Sequence, residues 1–194
     1  MEPSAHPLAI ALAQRLRARP ETTILEIGAG TGRNTRALVA AGLTVAAIAD
    51  GNALPAGARR FGAALSTHAL LHGTHAEIAQ GVAAIVRLLE PRAPLYATFA
   101  STLDSRFGTG IRIDDGTFAP PDGPEHGVAH GYFDRTQLLR MLEPTVEIES
   151  LEEVNVDDIV GRWAHASRPS GSVHWFLKAT SATPPFDKLR VTGD

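Results

Sequence analysis

The sequence predicts an α/β fold, a doubly wound and mostly parallel sheet with helices on both faces. A short apolar run at 22–28 ends in glycine, helix-like sequence follows at 33–41, and a second apolar run occupies 43–49. A strand, a helix and a strand in this order form a βαβ unit, whose strands are expected to be buried on both faces. With 194 residues, of which 44% are hydrophobic, the chain can fill one core and has little left for a second.

Three further helices are predicted from local signals. An amphipathic helix is expected over 8–16, where leucine recurs at every fourth position. Two capping boxes mark the starts of the later helices, Thr74 with Glu77 and Asp134 with Gln137. In each box the two side chains satisfy backbone N–H groups that a helix start leaves open.

Four further strands are predicted at 61–66, 95–100, 146–156 and 173–179. Apolar and polar residues alternate in the last two. The alternation slips near 149–151, which predicts a β-bulge there.

Two segments show no helical or strand period. Residues 101–131 are rich in glycine, proline, aspartate and histidine, and we expect a long functional loop above the carboxyl ends of the strands. Residues 181–194 contain adjacent prolines and are expected to form a flexible tail. The predicted domain therefore spans 1–180.

Composition excludes several classes of function. A net charge of -3 and a sequence pI near 6.2 provide no basic face, so we expect neither nucleic acid nor membrane as a partner. The chain has no cysteine, which excludes thiolate metal sites and cysteine nucleophiles. The N-terminal segment has neither the charge order of a signal peptide nor the length of a membrane span, so a cytoplasmic protein with a small-molecule substrate is expected.

A glycine-rich loop joins the first predicted strand to the next helix. Its residues are Gly28, Ala29, Gly30, Thr31 and Gly32. Such glycines let backbone amides approach a ligand. A dinucleotide fingerprint requires glycine at Arg33, so NAD is disfavoured. Asp50, after the second strand, can accept hydrogen bonds from both hydroxyls of a ribose, and together these features predict a nucleoside pocket. The alternative is a tight turn that binds nothing.

The stretch LEIGAGTGRNTRALVAAG closely resembles the first motif of class I S-adenosylmethionine-dependent methyltransferases. The stretches FGAALSTHALLHGT and LLEPRAPLYATFAS look like the fourth strand, the following helix and the fifth strand of that superfamily, so the resemblance covers roughly 24–179 in order. The chain looks most like the small methyltransferases of the tellurite-resistance and ubiquinone-biosynthesis types. This resemblance implies a Rossmann-like sheet with an antiparallel C-terminal strand, S-adenosyl-L-methionine as cofactor and methyl transfer to a small molecule.

The resemblance also implies a set of cofactor-binding residues. They are Glu26, Gly28, Ala29, Gly30, Thr31, Gly32, Asn34, Asp50, Ser66 and Thr67. The chain departs from the family between Asp50 and Phe61, where members usually have a helix, a third strand and an acidic residue. Ten residues cannot hold both elements, so the third-strand region is shortened or absent. Asp50 then matches the acidic residue that family members have after either the second or the third strand. Its short separation in sequence from Gly32 favours the second strand.

A methyltransferase of this kind needs no covalent nucleophile, because the sulfonium already makes the methyl group electrophilic. The protein must exclude water, align the acceptor and, for some acceptors, remove a proton. His68 and His72 are the candidate bases, followed by His75, and the alternative for each is a histidine that only hydrogen-bonds within the fold.

The long loop and the segment after it supply the candidate acceptor-binding residues. These are Arg106, Arg112, His130 and Tyr132. For the two arginines, the alternative is a solvated surface position.

No metal is expected from the sequence. His68, His72 and His75 would share one face of a continuous helix, but the capping box begins a new helix at Thr74. Two other functions stay open besides methyl transfer: a catalytically inactive protein that binds the cofactor or a partner, and, with less support, a nicotinamide-dependent oxidoreductase.

Overall fold

The computed structural model describes residues 4–49, 54–55, 60–157 and 171–182. The helices among them are α1 (Pro7–Arg15), α2 (Arg33–Ala40), α3 (His75–Arg87) and α4 (Arg135–Leu142). The strands are β1 (Thr23–Ile27), β2 (Thr44–Ile48), β3 (Ala63–Ser66), β4 (Pro94–Ser101), β5 (Ile111–Arg112), β6 (Thr117–Ala119), β7 (His130–Phe133), β8 (Val146–Asn155) and β9 (Val173–Ser181). None of these helices is long and apolar enough to cross a membrane.

The centre of the sheet is parallel, in the order β2–β1–β3–β4. β9 runs antiparallel between β4 and β8, and the short β7 pairs in parallel with the end of β4. β5 and β6 form a hairpin that extends from β7. The predicted fold class, including the antiparallel C-terminal strand, is confirmed.

Hydrophobic residues pack on both faces of the sheet, because neighbouring residues of a strand point to opposite sides. Ile24 of β1 belongs to the cluster that includes α1 and α2, whereas Leu25 belongs to the cluster with α3 and α4. This alternation places Glu26 on the face of α1 and α2. The sheet is thus doubly wound.

The local helix predictions are confirmed. The leucines of the first helix are buried, with Leu8, Leu12 and Leu16 at most 2% exposed. Both capping boxes form, with the side chain of Thr74 or Asp134 accepting from the N–H of the third helical residue and that residue's side chain accepting in return.

The prediction that the second strand is buried on both faces is wrong. Every residue of β2 is exposed or half-buried, because β2 lies at the edge of the sheet. Within the described ranges, no strand pairs with its outer side. The region predicted to lack the third strand, 51–60, lies mostly outside the described residues.

The prediction of a structureless segment at 101–131 is also wrong in part. This segment contains β5, β6 and the first residues of β7. The predicted bulge in β8 is confirmed, since the register with β9 shifts between Ile148 and Ser150. β9 extends to Ser181, past its predicted end, while Asp50 and the predicted tail from residue 183 onward lie outside the described residues.

Candidate functional site

The carboxyl ends of β1, β3 and β4 meet at one edge of the sheet, because the three strands are parallel and in register. The glycine loop follows β1, Thr67 and His68 follow β3, and Asp104 follows β4. In open α/β sheets this edge is where ligands bind.

The glycine loop has the conformation that its sequence requires. Gly28, Gly30 and Gly32 have φ of 74°, 52° and 76°, values that residues with a side chain seldom adopt. A Cβ on Gly28 would lie 2.6 Å from the Cβ of Ala69, so the two chain segments approach closely. The N–H groups of Gly30 and Thr31 form no hydrogen bond with any described residue. They are therefore available to a ligand.

Glu26 places a buried carboxyl group beside this loop. Its side chain is 1% exposed, and one oxygen accepts a hydrogen bond from Thr35 Oγ1 at 2.5 Å. The other oxygen, Oε1, is buried without a hydrogen-bond partner among the described residues. Burial raises the pKa of Glu26, although the Thr35 hydrogen bond, the nearby Asn34 amide and the charge of Arg33 oppose this shift. Such an oxygen requires a donor, because a buried acceptor without one is costly.

Asn34 links three parts of the site. Its Oδ1 accepts from the backbone N–H of His6 at 2.9 Å, and its Nδ2 donates to Thr67 Oγ1 at 2.9 Å. Ser66, the last residue of β3, is fully buried, and its Oγ has no hydrogen-bond partner among the described residues. The implied cofactor residues outside the glycine loop, apart from Asp50, thus lie together at this edge.

Three histidine rings lie next to this polar group. The ring centre of His68 is 5.9 Å from that of His6 and 5.2 Å from that of His174. Burial, the neighbouring rings and the charge of Arg33 hold the pKa of His68 well below 6.5. Burial, together with Arg33 and His174, lowers the pKa of His6 to about 2. Both rings are therefore neutral at pH 7, and His68 can accept a hydrogen bond but is a weak base.

His72 and His130 lie opposite each other. Their ring centres are 4.8 Å apart, and Glu125 approaches both rings. His130 is 1% exposed, whereas His72 and Glu125 are partly accessible. The structure thus brings together a predicted base and a predicted acceptor-binding residue.

Tyr132 and Arg106 form the adjacent wall. Tyr132 is buried, and its ring lies near those of Phe107 and Phe118 at centre distances of 5.7 and 6.3 Å. Burial raises the pKa of Tyr132 to about 12, so the phenol is protonated at neutral pH. Arg106 pairs with Asp104 at 3.0 Å, and the pKa of its guanidinium is raised by this pairing.

Two predicted residues are placed elsewhere or have another contact. Arg112 lies on the exposed hairpin and pairs with the solvent-exposed Asp115. This is the solvated surface position expected as the alternative to acceptor binding. His75 stacks on Phe133 at 4.0 Å and donates from Nε2 to Tyr132 O at 2.7 Å, so it connects α3 to β7.

Sequence reasoning missed four residues of this region. They are His6, Asp104, Glu125 and His174. Only His6 carries a local signal, because a polar residue before Pro7 suits a helix cap, and its Nδ1 does accept from Leu8 N at 3.0 Å. Long-range strand pairing brings the other three to the site.

The fold is that of class I S-adenosylmethionine-dependent methyltransferases, as comparison with solved structures shows. A 1,6-didemethyltoxoflavin-N1-methyltransferase from Burkholderia thailandensis, crystallised with 1,6-didemethyltoxoflavin and S-adenosylhomocysteine, matches with a TM-score of 0.61 and 17% identity over 91% of this chain and 79% of that chain. The CcbJ methyltransferase from Streptomyces caelestis matches with a TM-score of 0.62 and 17% identity over 92% of this chain and 91% of that chain.

A structure described as a putative S-adenosylmethionine-dependent methyltransferase from Listeria monocytogenes gives a TM-score of 0.64 and 10% identity over 91% of this chain and 99% of that chain. No protein-family model matches the chain, and no curated protein matches it by sequence. Identities this low define the fold, so the activity must be argued from the site.

Proposed function

We propose that the protein is an S-adenosyl-L-methionine-dependent methyltransferase that transfers the methyl group in line to a small-molecule acceptor. The observation that carries this proposal is the buried Glu26 oxygen that has no donor among the described residues, close in the chain to two backbone N–H groups that have no acceptor among them. The bound cofactor would supply an electrophilic methyl group on a sulfonium. The residues present fit such a ligand.

Each end of the pocket suits one part of a zwitterionic nucleoside. Glu26 Oε1 would accept from the ammonium of the methionine part, a charge-assisted hydrogen bond that is stronger than a neutral one. The N–H groups of Gly30 and Thr31 would donate to its oxygen atoms, and Ser66 and Thr67 would flank the same end. Asp50 is proposed to hold the ribose on the basis of the sequence resemblance.

His68 is proposed to orient the acceptor. Its neutral ring can accept a hydrogen bond from an acceptor O–H or N–H, which aligns the lone pair for in-line transfer. Because its pKa is low, His68 takes a full proton poorly, so this role suits an acceptor that loses its proton late or not at all.

The acceptor is proposed to lie against Tyr132, His130 and Arg106. The rings of Phe107, Phe118 and Tyr132 provide an apolar wall beside the Arg106–Asp104 pair, which suits a small molecule with a planar part and a polar edge. The net charge of -3 disfavours nucleic acid and anionic membranes. We further propose that residues 1–180 form one domain and that the protein acts in the cytoplasm.

Calorimetry with S-adenosylhomocysteine tests cofactor binding. The wild type is expected to bind it, NAD is expected to give no heat, and Glu26→Gln should weaken binding about 10- to 100-fold because one charge-assisted hydrogen bond contributes about 1.5–3 kcal/mol. Glu21→Gln, an exposed position before β1, is the matched control and should bind as the wild type does. Equal affinity of the Glu26 variant and the wild type would contradict the proposed pocket.

Transfer itself is tested with S-adenosylmethionine labelled in the methyl group. Incubation with a small-molecule extract should place label on at least one compound. Cofactor binding without any transfer would instead favour the second function, an inactive cofactor- or partner-binding protein. The exposed edge of β2, where the family usually has another strand, is the feature that favours this second function.

A further inference from the structure

Backbone hydrogen bonds fix His72 and His130 opposite each other. Gly73 N donates to Ala129 O at 2.7 Å, and Gly131 N donates to Leu71 O at 3.0 Å, which makes the two histidines an antiparallel bridge pair. Side chains of such a pair project on the same side. The relative position of the rings is therefore set by the main chain.

The hydrogen bond of His130 determines which of its nitrogens carries a proton in the neutral ring. Nδ1 lies 2.8 Å from Val128 O, and a carbonyl oxygen only accepts, so Nδ1 is the donor. In the neutral ring Nε2 then has its lone pair free. That atom is buried, has no hydrogen-bond partner among the described residues and lies 3.4 Å from Glu125 Oε2.

A lone pair that faces a carboxylate oxygen is unfavourable unless a proton or a metal cation lies between the two atoms. His72 Nε2 adds a second nitrogen, 3.7 Å from Glu125 Oε1. With one ligand atom taken from each of the three residues, all three atoms lie within 4.8 Å of one another. Two ligands on a tetrahedral ion, at bond lengths of about 2.0–2.1 Å, lie about 3.4 Å apart. The two nitrogen–oxygen separations, each to a different oxygen of the Glu125 carboxylate, exceed the usual length of about 2.7–2.9 Å for a charged hydrogen bond and are close to the tetrahedral value.

We propose that His72, Glu125 and His130 bind a divalent first-row transition ion of the Zn²⁺ class. Two imidazoles and one carboxylate form a donor set that such ions prefer over Mg²⁺ or Ca²⁺, which favour oxygen ligands alone. The Nδ1–H bond to Val128 O orients the ring and raises the basicity of the ligating nitrogen, as outer-shell carbonyls do in other metal sites. Glu125 and His130 come from the 101–131 segment and from β7, so the set differs from the His68, His72 and His75 group considered from the sequence.

Three protein ligands leave one tetrahedral position open, which is the arrangement of catalytic rather than structural zinc sites. The side chains of His72 and Glu125 are 41% and 37% exposed, so a small ligand can reach the ion. Resting on the proposed function, we assign this position to an oxygen or nitrogen donor of the methyl acceptor. The ion would fix the acceptor beside Tyr132 and His68 and lower the pKa of the atom that it binds.

Metal titration tests the site without cofactor or acceptor. Protein prepared without a histidine tag is stripped with a chelator and titrated with Co²⁺, followed by Zn²⁺. One equivalent of Co²⁺ should give the visible absorption bands of a tetrahedral site, and Zn²⁺ should abolish them. His72→Ala and Glu125→Gln, two partly exposed positions, should each raise the Kd about 100-fold or more, because loss of an outer-shell partner alone costs about 10- to 100-fold.

His126→Ala is the matched control, since His126 is exposed, adjacent to Glu125 and outside the cluster. It should bind Co²⁺ as the wild type does. The proposal is overturned if the wild type takes up no Co²⁺ at one equivalent, or if the His72 and Glu125 variants bind as tightly as the wild type. Because the titration contains no nucleoside, its failure leaves the calorimetric test of the cofactor pocket unaffected.

Discussion

The close approach of Gly28 and Ala69 makes Gly28→Ala a sharp test of the site's geometry. The new Cβ would lie 2.6 Å from the Cβ of Ala69, a separation that real Cβ atoms do not show. Gly28 also has φ of 74°, which costs a non-glycine residue about 1–2 kcal/mol. Relief of the overlap must move the loop or the segment after β3, and overpacking of this kind costs about 1–3 kcal/mol more. The expected loss of unfolding free energy is therefore about 2–5 kcal/mol.

Gly42→Ala separates the cost of a positive φ from the cost of overpacking. Gly42 follows α2 with φ of 86°, and a Cβ there would meet no atom within 4 Å. This variant should lose only the conformational part, about 1–2 kcal/mol. It should also bind S-adenosylhomocysteine as the wild type does, because it lies at the end of α2 away from the glycine loop.

Urea denaturation and calorimetry of both variants give the comparison. A third variant, Gly28→Ala with Ala69→Gly, removes the opposing Cβ and leaves contacts of 3.5 Å or more. It should recover about 1–3 kcal/mol relative to the sum of the single changes and restore part of the cofactor affinity. Equal losses in the Gly28 and Gly42 variants, with no recovery in the double variant, would refute the reasoning.

Three other changes have defined outcomes. Burial raises the pKa of Glu26, so its ionised form destabilises the free protein once the pH exceeds that pKa. Glu26→Gln should therefore raise the unfolding free energy measured in urea at pH 8. The same variant should weaken cofactor binding. His6 and His68 stay neutral in the folded state but protonate near 6.5 when unfolded, so the unfolding free energy should fall below that pH by about 1.4 kcal/mol per pH unit for each ring. His6→Asn keeps a helix cap and should remove one such contribution. His68→Gln should lower kcat about 10-fold with little change in the Kd for S-adenosylhomocysteine, and the wild-type kcat should show no ionisation of His68 between pH 6 and 8; a wild-type rate in the variant would exclude its proposed role.

The parts of the fold that depend on neighbouring residues were predictable from the sequence. Both capping boxes form because each involves contacts over three residues. The glycine loop was predictable for the same reason, because the three alternate positions with positive φ are all glycines. The slip of alternation in β8 likewise marks the bulge beside Ile148.

The parts that depend on distant pairing were not predictable. β2 has the composition of a buried strand, and its exposure follows from its place at the edge of the sheet that the described residues form. β5 and β6, with two and three residues, are too short to show a period and form through pairing with each other and with β7. His174 lies at the site because it belongs to β9, and Glu125 because it lies in the segment before β7. Both are far in sequence from most of the site, so no local pattern predicts their positions.

The order of the strands constrains how the chain can complete its sheet during synthesis. β9 fills the space between β4 and β8, so both of these strands keep an unpaired edge until the last described segment has left the ribosome. The edge of β4 that β9 later covers, Pro94–Ala100, consists of residues that are buried in the folded protein, and such an edge, while exposed, is a template for association with other chains. The nascent protein therefore depends on late closure, and a pause in translation before residue 173 should prolong its need for a chaperone.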